Sequence, residues 1–386
     1  MKLASAGSRR GLSVAVIGMV AGVAVITAGV GVLSSRLGAS TWAVVEDSAA
    51  ASLDAVGCAN AGDCWAVGTG VEHASSGSSW TSVAGPVPSS GVLNAIACPS
   101  ATQCWSVGSV PTTLATSALV EHDSGGSWTI VHPELVSSAG VDYSDVLRGI
   151  SCVGTNDCWA VGDAVAEAGT SDQPLIVHYS GESWSSVLGP AIGGSGGQLD
   201  AVACTDANNC WAVGPSSDGP EPLIEHFNGT TWTVVQGPTP QDDLGGNLNA
   251  VTCAGATNCW AVGSTGTGET VHPLVETYSN GRWVVSVSPR INVVGGGELE
   301  DIACSSSTEC WAVGDLPGMA VALVQGPGTG GSNTSLTQPL IERYSRGTWA
   351  VVNGTSTSDG GALLGVTCIP SGVCWAVGGT LIEATA

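Results

Sequence analysis

Fourteen cysteines stand in seven pairs with a single spacing, Cys-x5-Cys, and they are the first residues in the chain whose type and repetition suggest chemistry. Thiols at this density bind zinc, exchange disulfides or form structural bridges. A zinc site needs about four ligands, whereas each pair has no paired histidine. An even cysteine count in an exported chain favours disulfides. We therefore predict no metal site and these local bridges: Cys58–Cys64, Cys98–Cys104, Cys152–Cys158, Cys204–Cys210, Cys253–Cys259, Cys304–Cys310 and Cys368–Cys374.

Each cysteine pair belongs to a longer repeat that predicts four strands. The second cysteine opens Cys-Trp-Ala-Val-Gly, with Ser106 replacing the alanine in one copy. A Leu-x-x-Val/Ile segment precedes the first cysteine, and an apolar segment with glutamate and a Trp-x-Val-Val segment follow. Short β-branched and aromatic segments between turn residues are typical of strands. We name them strand A (Leu-x-x-Val-x-Cys), strand B (Cys-Trp-Ala-Val-Gly), strand C (the segment with glutamate) and strand D (Trp-x-Val-Val).

Seven such units predict an all-β fold, a seven-bladed β-propeller of four-stranded blades over residues 41–386. The seventh unit has no strand D after its strand C. Residues 41–45 read Thr-Trp-Ala-Val-Val, which is identical to residues 348–352 in strand D of the sixth unit. The N-terminal strand should therefore complete the last blade and close the ring, because an unpaired sheet edge is unfavourable.

The first forty residues predict membrane targeting. Residues 1–11 are basic, residues 12–33 are uncharged and largely apolar, and residues 34–40 form a linker. As a helix, residues 12–33 would span about 33 Å, close to the hydrocarbon thickness of a bilayer. The positive charges precede this segment, so the propeller should be exported. We predict a transmembrane signal-anchor with an extracytoplasmic propeller, or a secreted protein if the segment is a cleaved signal peptide.

The formal net charge of −23 limits the classes of partner. A surface this acidic repels phosphate backbones, so nucleic acid is not expected as a partner. The same charge suits solubility outside the cell, cationic partners or loosely bound divalent cations. The sequence contains no cofactor motif, so we predict no cofactor, and it does not define the oligomeric state.

The candidate binding residues occupy one strand A position, directly after the leading leucine. Its occupants vary in kind while the neighbouring positions repeat. The innermost strands of a propeller begin at the channel mouth, on the face with the long B–C and D–A loops, so these side chains should form a polar ring there. Alternatively, they only make hydrogen bonds within the turns. The predicted ligand-binding residues are Asp54, Asn94, Arg148, Asp200, Asn249 and Glu300, with Tyr143 and Asp145 close to Arg148 in sequence, and Leu364 holds the seventh position.

A second recurring set lies in strand C. Residues that recur regularly in a repeat are typical of structural hydrogen bonding and not of catalysis. We therefore predict that the residues of this set form structural hydrogen bonds. Val177 replaces the glutamate in the third unit. The set comprises Glu72, Glu121, Glu225, Glu276, Glu342 and Glu383, followed in four units by His73, His122, His178 and His226.

One turn carries a family resemblance. Residues 123–128, Asp-Ser-Gly-Gly-Ser-Trp, resemble the Asp-box (Asp-x-Gly-x-x-Trp) of sialidase-like propellers, which forms the turn between strands C and D. Other units keep the glycine and tryptophan but replace the aspartate. The chain thus resembles degenerate Asp-box propellers and, more closely, exported bacterial proteins with Cys-Trp-Ala-Val-Gly repeats. Sialidases surround the substrate carboxylate with three arginines, whereas here only Arg148 and Arg290 can reach the long-loop face, so typical sialidase activity is not expected.

Three functions are compatible with this sequence, because a propeller fold supports each of them. The first is an extracytoplasmic module, membrane-tethered or secreted, that binds a glycan or protein on its long-loop face. The second is a carbohydrate-active enzyme, a glycosidase or lyase with two suitably separated carboxylates. The third is a surface scaffold without a small ligand. The sequence favours binding without catalysis.

Overall fold

The computed structural model describes residues 42–47, 51–75, 79–85, 87–88, 90–113, 115–133, 135, 143–166, 173–190, 197–215, 221–240, 245–266, 271–286, 296–317, 337–352 and 361–385. These residues form seven four-stranded sheets, in which neighbouring strands are antiparallel. The order within each sheet is A, B, C, D. The predicted seven-bladed β-propeller is confirmed.

The first three blades are continuous meanders. Blade one comprises β2 (Leu53–Asn60), β3 (Asp63–Gly68), β4 (Val71–Ala74) and β5 (Thr81–Val83). Blade two comprises β6 (Val92–Ser100), β7 (Gln103–Pro111), β8 (Thr116–Ser124) and β9 (Trp128–Val131). Blade three comprises β10 (Tyr143–Gly154), β11 (Asp157–Ala166), β12 (Gln173–Tyr179) and β13 (Trp184–Leu188).

The next three blades repeat this order. Blade four comprises β14 (Ala201–Asp206), β15 (Asn209–Gly214), β16 (Leu223–Phe227) and β17 (Trp232–Val234). Blade five comprises β18 (Gly246–Cys253), β19 (Cys259–Thr265), β20 (His272–Ser279) and β21 (Arg282–Ser286). Blade six comprises β22 (Glu298–Ser306), β23 (Glu309–Leu316), β24 (Gln338–Ser345) and β25 (Thr348–Val352).

Blade seven joins the two ends of the propeller. It contains β26 (Gly365–Cys368), β27 (Cys374–Gly378), β28 (Leu381–Thr385) and, as its outer strand, β1 (Trp42–Asp47). β1 pairs antiparallel with β28, with Val44 opposite Glu383. The innermost strands β2 and β26 also contact each other. Closure of the ring by the N-terminal strand is confirmed, and this strand extends to Asp47.

Tryptophans fill the seams between blades. At five seams of the described structure, the strand B tryptophan of one blade packs edge-on against the strand D tryptophan of the next, as Trp65 does on Trp128 with ring centroids 5.3 Å apart. Trp42 packs against Trp311 of blade six at the same 5.3 Å, so the closing strand takes the same place as every other strand D. Such edge-to-face pairs add stability beyond the apolar area they bury. The tryptophans at these seams are therefore architectural.

The seven predicted disulfides are all present, and no free cysteine remains. Each bridge links strands A and B of one blade. In β10 and β11, for example, Cys152 and Cys158 are direct cross-strand partners. The second cysteine of each pair is buried, with 1% exposure or less. The bridges therefore lie inside the blades, between the two strands nearest the channel.

The predicted N-terminal segments, residues 1–11, 12–33 and 34–40, lie outside the described residues. Among the described residues, none forms a helix with the length and apolar character needed to cross a bilayer.

Trp42 provides a test of ring closure. It is 3% exposed and contacts blade six, so Trp42→Ala should lower the free energy of unfolding by about 3–5 kcal/mol, the usual cost of truncating a buried tryptophan. Deletion of residues 41–45 should lower the melting temperature further. Thermal unfolding followed by circular dichroism measures both. Val44→Ala is the control, because Val44 on the same strand is 38% exposed. Unchanged melting after the deletion would contradict closure by β1.

Candidate functional site at the channel mouth

The variable strand A positions of all seven blades line one cavity of about 310 Å³. The cavity lies among the innermost strands, so it is the mouth of the central channel. The structure therefore brings together six of the eight predicted residues, and Leu364 joins them. The seven positions are Asp54, Asn94, Arg148, Asp200, Asn249, Glu300 and Leu364.

A β-bulge places these side chains. In five blades the antiparallel register shifts at this residue, as at Asn249, which lies between the paired residues Leu248 and Ala250. The same shift occurs at Asp54, Asn94, Arg148 and Glu300. In blade four, strand A begins just after Asp200, whose amide N–H donates to Val213 O at 2.7 Å. A bulge redirects a side chain relative to a regular strand.

The glycine of Cys-Trp-Ala-Val-Gly makes this bulge possible. A Cβ atom on Gly263 would lie 2.1 Å from the carbonyl oxygen of Asn247, the residue before the leading leucine. The equivalent separation is 2.0 Å between Gly68 and Ser52 O. Atoms cannot approach so closely, so a residue with a side chain would push strand A away. The repeated glycine thus positions the ring of channel residues, although it does not line the channel.

The two asparagines connect neighbouring blades. Asn94 Nδ2 donates to the carbonyl oxygen of Leu147 at 2.7 Å, and Asn249 Nδ2 donates to that of Leu299 at 3.0 Å. Both acceptors are leading leucines of the next blade. Because these bonds cross a seam, the expectation of hydrogen bonds confined to turns is wrong for these two residues.

Arg148 is the one cation among the described residues that line the cavity, and its charge is already engaged. Arg148 Nε donates to Asp163 Oδ1 at 2.7 Å, and it lies 3.7 Å from Asp200 Oδ1. The Asp163 side chain is only 5% exposed. Sequence inspection missed Asp163. The sequence feature that could have identified Asp163 is its position directly after Trp-Ala-Val-Gly in strand B. This part of strand B lies opposite the start of strand A.

The remaining ionisable groups of the mouth are carboxyls whose pKa values burial raises. Burial raises the pKa of Asp54, and it raises that of Asp200 to about 6 although Gln198 and Arg148 oppose the shift. Burial and repulsion from four neighbouring carboxylates, the strongest from Glu298, raise the pKa of Glu300 to about 7. The mouth therefore holds more acidic groups than its one described cation, Arg148, can neutralise.

Glu300 also belongs to a cluster of three acids in blade six. One side-chain oxygen from each of Glu298, Glu300 and Asp315 lies within 4.8 Å of the others. Glu298 and Asp315 are cross-strand partners in β22 and β23. Carboxylate oxygens suit Ca²⁺ or Mg²⁺, but Ca²⁺ takes six to eight oxygen ligands. Asn249 donates to Glu298 and Glu300 at 3.0 and 3.4 Å, so the cluster already has a neutral hydrogen-bond donor.

Tyr143 and Asp145 are not among the residues lining the cavity. Asp145 is paired with Ala164 across β10 and β11. Burial raises the pKa of Asp145, and the neighbouring Asp163 raises it further. The side chain of Tyr143 lies outside the described residues.

The other described arginines do not line the channel mouth, and Arg290 lies outside the described residues. Arg343 pairs with Glu309 on the neighbouring strand and lies over the ring of Trp311, 5.1 Å from its centroid. Arg346 lies in the turn between strands C and D, with a φ of 51°. Among the described residues, Arg148 is therefore the arginine that lines the channel mouth.

No known protein family matches the sequence, and no curated protein matches it either. Solved structures match the fold. YCF48 bound to D1 peptide is 14% identical with a TM-score of 0.56, and the match covers 91% of this chain and 96% of that one. A streptogramin B lyase is 13% identical with a TM-score of 0.58, and the match covers 89% and 97%.

A third similar structure is the GH74 xyloglucanase from Xanthomonas campestris, 12% identical with a TM-score of 0.58. That match covers 89% of this chain and 53% of the xyloglucanase. At these identities the likeness shows the propeller fold alone. The neighbours include a lyase, a glycosidase and a peptide-bound propeller, so the fold does not select a function.

Replacing a repeat glycine tests how the channel ring is held. Gly263→Ala should lower the free energy of unfolding by about 1–3 kcal/mol, the cost of overpacking a tight site. Thermal unfolding by circular dichroism measures the effect. Gly154→Ala is the control, since a Cβ atom there would meet no atom within 4 Å. Equal melting temperatures for the two variants would contradict the role assigned to the glycine.

Proposed function

We propose that this protein is an extracytoplasmic binding module and that its ligand is a protein segment that inserts a basic side chain into the channel mouth. The observation that carries the proposal is the charge of the cavity. Asp54, Asp200 and Glu300 line it together, and its one described cation, Arg148, is shared between the buried Asp163 at 2.7 Å and Asp200 at 3.7 Å.

A lysine or arginine side chain suits these carboxyls. A cation entering the mouth replaces repulsion among Glu300 and its acidic neighbours with attraction, and charge-assisted hydrogen bonds are about twice as strong as neutral ones. Attraction in a partly buried site is also screened less by salt than on an open surface. The acidic surface of the whole chain would steer a basic partner towards the mouth.

The size and lining of the cavity favour a protein segment over a glycan. A volume of about 310 Å³ is at the lower end for small-ligand pockets, which suits one side chain better than an oligosaccharide. Its described lining contains no aromatic ring on which a sugar could stack. The described strand B tryptophans are buried between blades. Similarity to a propeller bound to D1 peptide is compatible with this choice.

The proposed location outside the cytoplasm is supported by the seven disulfides. Such bridges form and persist in oxidising compartments and are rare in the cytosol. The basic, apolar N-terminal sequence supports membrane attachment through residues 12–33, or secretion after cleavage.

A carbohydrate-active enzyme is the second candidate, favoured by two carboxyls with raised pKa in one cavity. Glu300, with a pKa of about 7, would be the proton donor, and Asp200, with a pKa of about 6, the base or nucleophile. Release of reducing ends from a panel of polysaccharides, abolished by Glu300→Gln, would replace the binding proposal with this one.

Peptide binding tests the leading proposal. A fluorescein-labelled Gly-Gly-Lys amide should bind the propeller in fluorescence anisotropy, and the same peptide with norleucine in place of lysine should not. Glu300→Gln and Asp200→Asn should each weaken binding about tenfold, equivalent to 1.4 kcal/mol. Glu182→Gln, at an exposed glutamate in a C–D turn, should leave affinity unchanged. Equal binding of both peptides, or Ca²⁺ binding lost in Glu298→Gln without peptide binding, would overturn the proposal.

Affinity for the lysine peptide should also depend on pH. The free site holds protons because burial raises the pKa of Asp200 to about 6 and of Glu300 to about 7. A cationic ligand binds the ionised forms, so affinity should rise from pH 5 to pH 8 and then level off. In the Glu300→Gln variant, the affinity should stop rising at a lower pH than in the wild type. An affinity independent of pH in the wild type would exclude these carboxyls from the binding site.

A further inference from the structure

The strand C glutamates lie at the seams between blades, remote from solvent. All six side chains are exposed by 2% or less. A buried carboxyl is costly unless it is hydrogen-bonded or paired, so six of them in one small domain require an explanation. They are Glu72, Glu121, Glu225, Glu276, Glu342 and Glu383.

Within the described part of the chain, three of these glutamates have no hydrogen-bond partner on either oxygen, namely Glu121, Glu225 and Glu276. The hydrogen-bonding role predicted from their recurrence is therefore wrong for these three. Burial raises the pKa of Glu121 to about 7 and that of Glu225 and Glu276 to about 8. Each is thus a neutral acid in the folded protein under mildly acidic conditions.

The surroundings of these acids are apolar. Within its own sheet, Glu225 lies opposite Ala212 and Val234. The preceding blade approaches at Gly189, where an added Cβ atom would lie 3.2 Å from Glu225 Oε1. Blade three provides a natural substitution, because Val177 takes the glutamate position there. Val177 is fully buried and packs into the same cluster as Val120 of blade two, which confirms an apolar pocket facing the preceding blade.

Titratable groups nearby are already engaged elsewhere. On the strand C of each preceding blade, a histidine stacks on its own tryptophan and hydrogen-bonds to strand B. These pairs are His73 with Asp63, His178 with Asp157, and His226 with Asn209. On the face of β8 that carries Glu121, Asp123 accepts from the Gly126 N–H. Tyr278 follows Glu276 by two residues on β20, as Asp123 follows Glu121 on β8. None of these groups contributes to the raised pKa values, which burial alone explains.

We propose that Glu121, Glu225 and Glu276 make the propeller a pH-responsive ring, whose seams are closed while these acids are neutral and loosen when they ionise. Ionisation places an unpaired charge in an apolar seam, which draws in water or separates the blades. The seam between blades two and three, where Val177 takes the glutamate position, lacks this response. The inference does not depend on the channel-mouth ligand, because these glutamates do not line that cavity.

The direction of the effect follows from proton binding. An unfolded glutamate titrates near pH 4.5, whereas in the folded chain these three have pKa values of about 7 to 8. Between those values the folded state binds more protons, so stability falls as pH rises. The loss is complete above pH 8 and absent below pH 4.5. Each acid can raise the unfolding equilibrium constant about tenfold per pH unit within this window.

Thermal melting of the disulfide-intact protein between pH 5 and pH 9 tests the proposal. The wild-type melting temperature should fall over this range. The double variant Glu225→Val, Glu276→Val, patterned on Val177, should melt higher at pH 8.5 and show a shallower fall. The channel carboxyls contribute equally to both proteins, so the difference isolates the seam acids. Glu182→Gln should retain the wild-type slope. A double variant with the wild-type slope would overturn the proposal.

Hydrogen exchange of the wild type gives a second test that needs no variant. Protection factors, corrected for intrinsic exchange, are compared at pH 6 and pH 8.5. Protection should fall in β8, β16 and β20, which carry the unpartnered acids, and persist in β12, which carries Val177. Equal loss in all four strands would contradict the proposal, because a general alkaline loosening would not spare blade three.

Discussion

Every blade of this propeller has to bury both of its faces against its neighbours, and the tryptophan pairs at the seams meet that requirement. Each described pair places a strand B ring edge-on to the next blade's strand D ring. A ring of seven seams is complete only when the last one is filled, and Trp42 on Trp311 fills it. The channel, the bulges and the buried glutamates all depend on that closed arrangement.

Closure of the ring also separates the residues with structural roles from those that determine the chemistry of the channel mouth. The leading leucines are fully buried, and the strand B glycines allow strand A to bulge against strand B. The bulged residue projects into the channel mouth, where neither the core nor the seam tryptophans restrict its type. For this reason aspartate, asparagine, arginine, glutamate and leucine all occur at one structural position. The blades therefore share the same backbone arrangement at the mouth and differ there in the chemistry of their side chains.

Much of this structure could be predicted from the sequence because the repeat encodes it locally. The cysteine spacing indicated the disulfides, and the match between residues 41–45 and 348–352 indicated closure. The variable position of strand A indicated the channel ring. Leu-x-x-Val also contained an unused signal: residues three apart cannot both face inward on a regular strand, so the buried Leu248 and Val251 imply a bulge.

The contacts that cross between strands or blades could not be predicted in the same way. The bond from Asn94 to Leu147 O depends on the distance between two blades. The Arg148–Asp163 pair depends on the register of β10 and β11. The lack of partners for Glu121, Glu225 and Glu276 is equally a property of the assembled seam. Recurrence in sequence identified these residues but did not show whether each was satisfied.

The bulge also bears on how proteins of this design can diversify. The backbone contact that forms it involves the strand B glycine and the residue before the leading leucine, and neither depends on the side chain that projects from the bulge. Leu364 occupies in blade seven the place that Glu300 occupies in blade six, with the framework unchanged. The mouth therefore has seven positions, one per blade, whose side chains the bulge itself does not restrict, while Asn249 contacts Glu300 and Arg148 contacts Asp200. Changing these residues would alter the chemistry of the mouth within the same architecture.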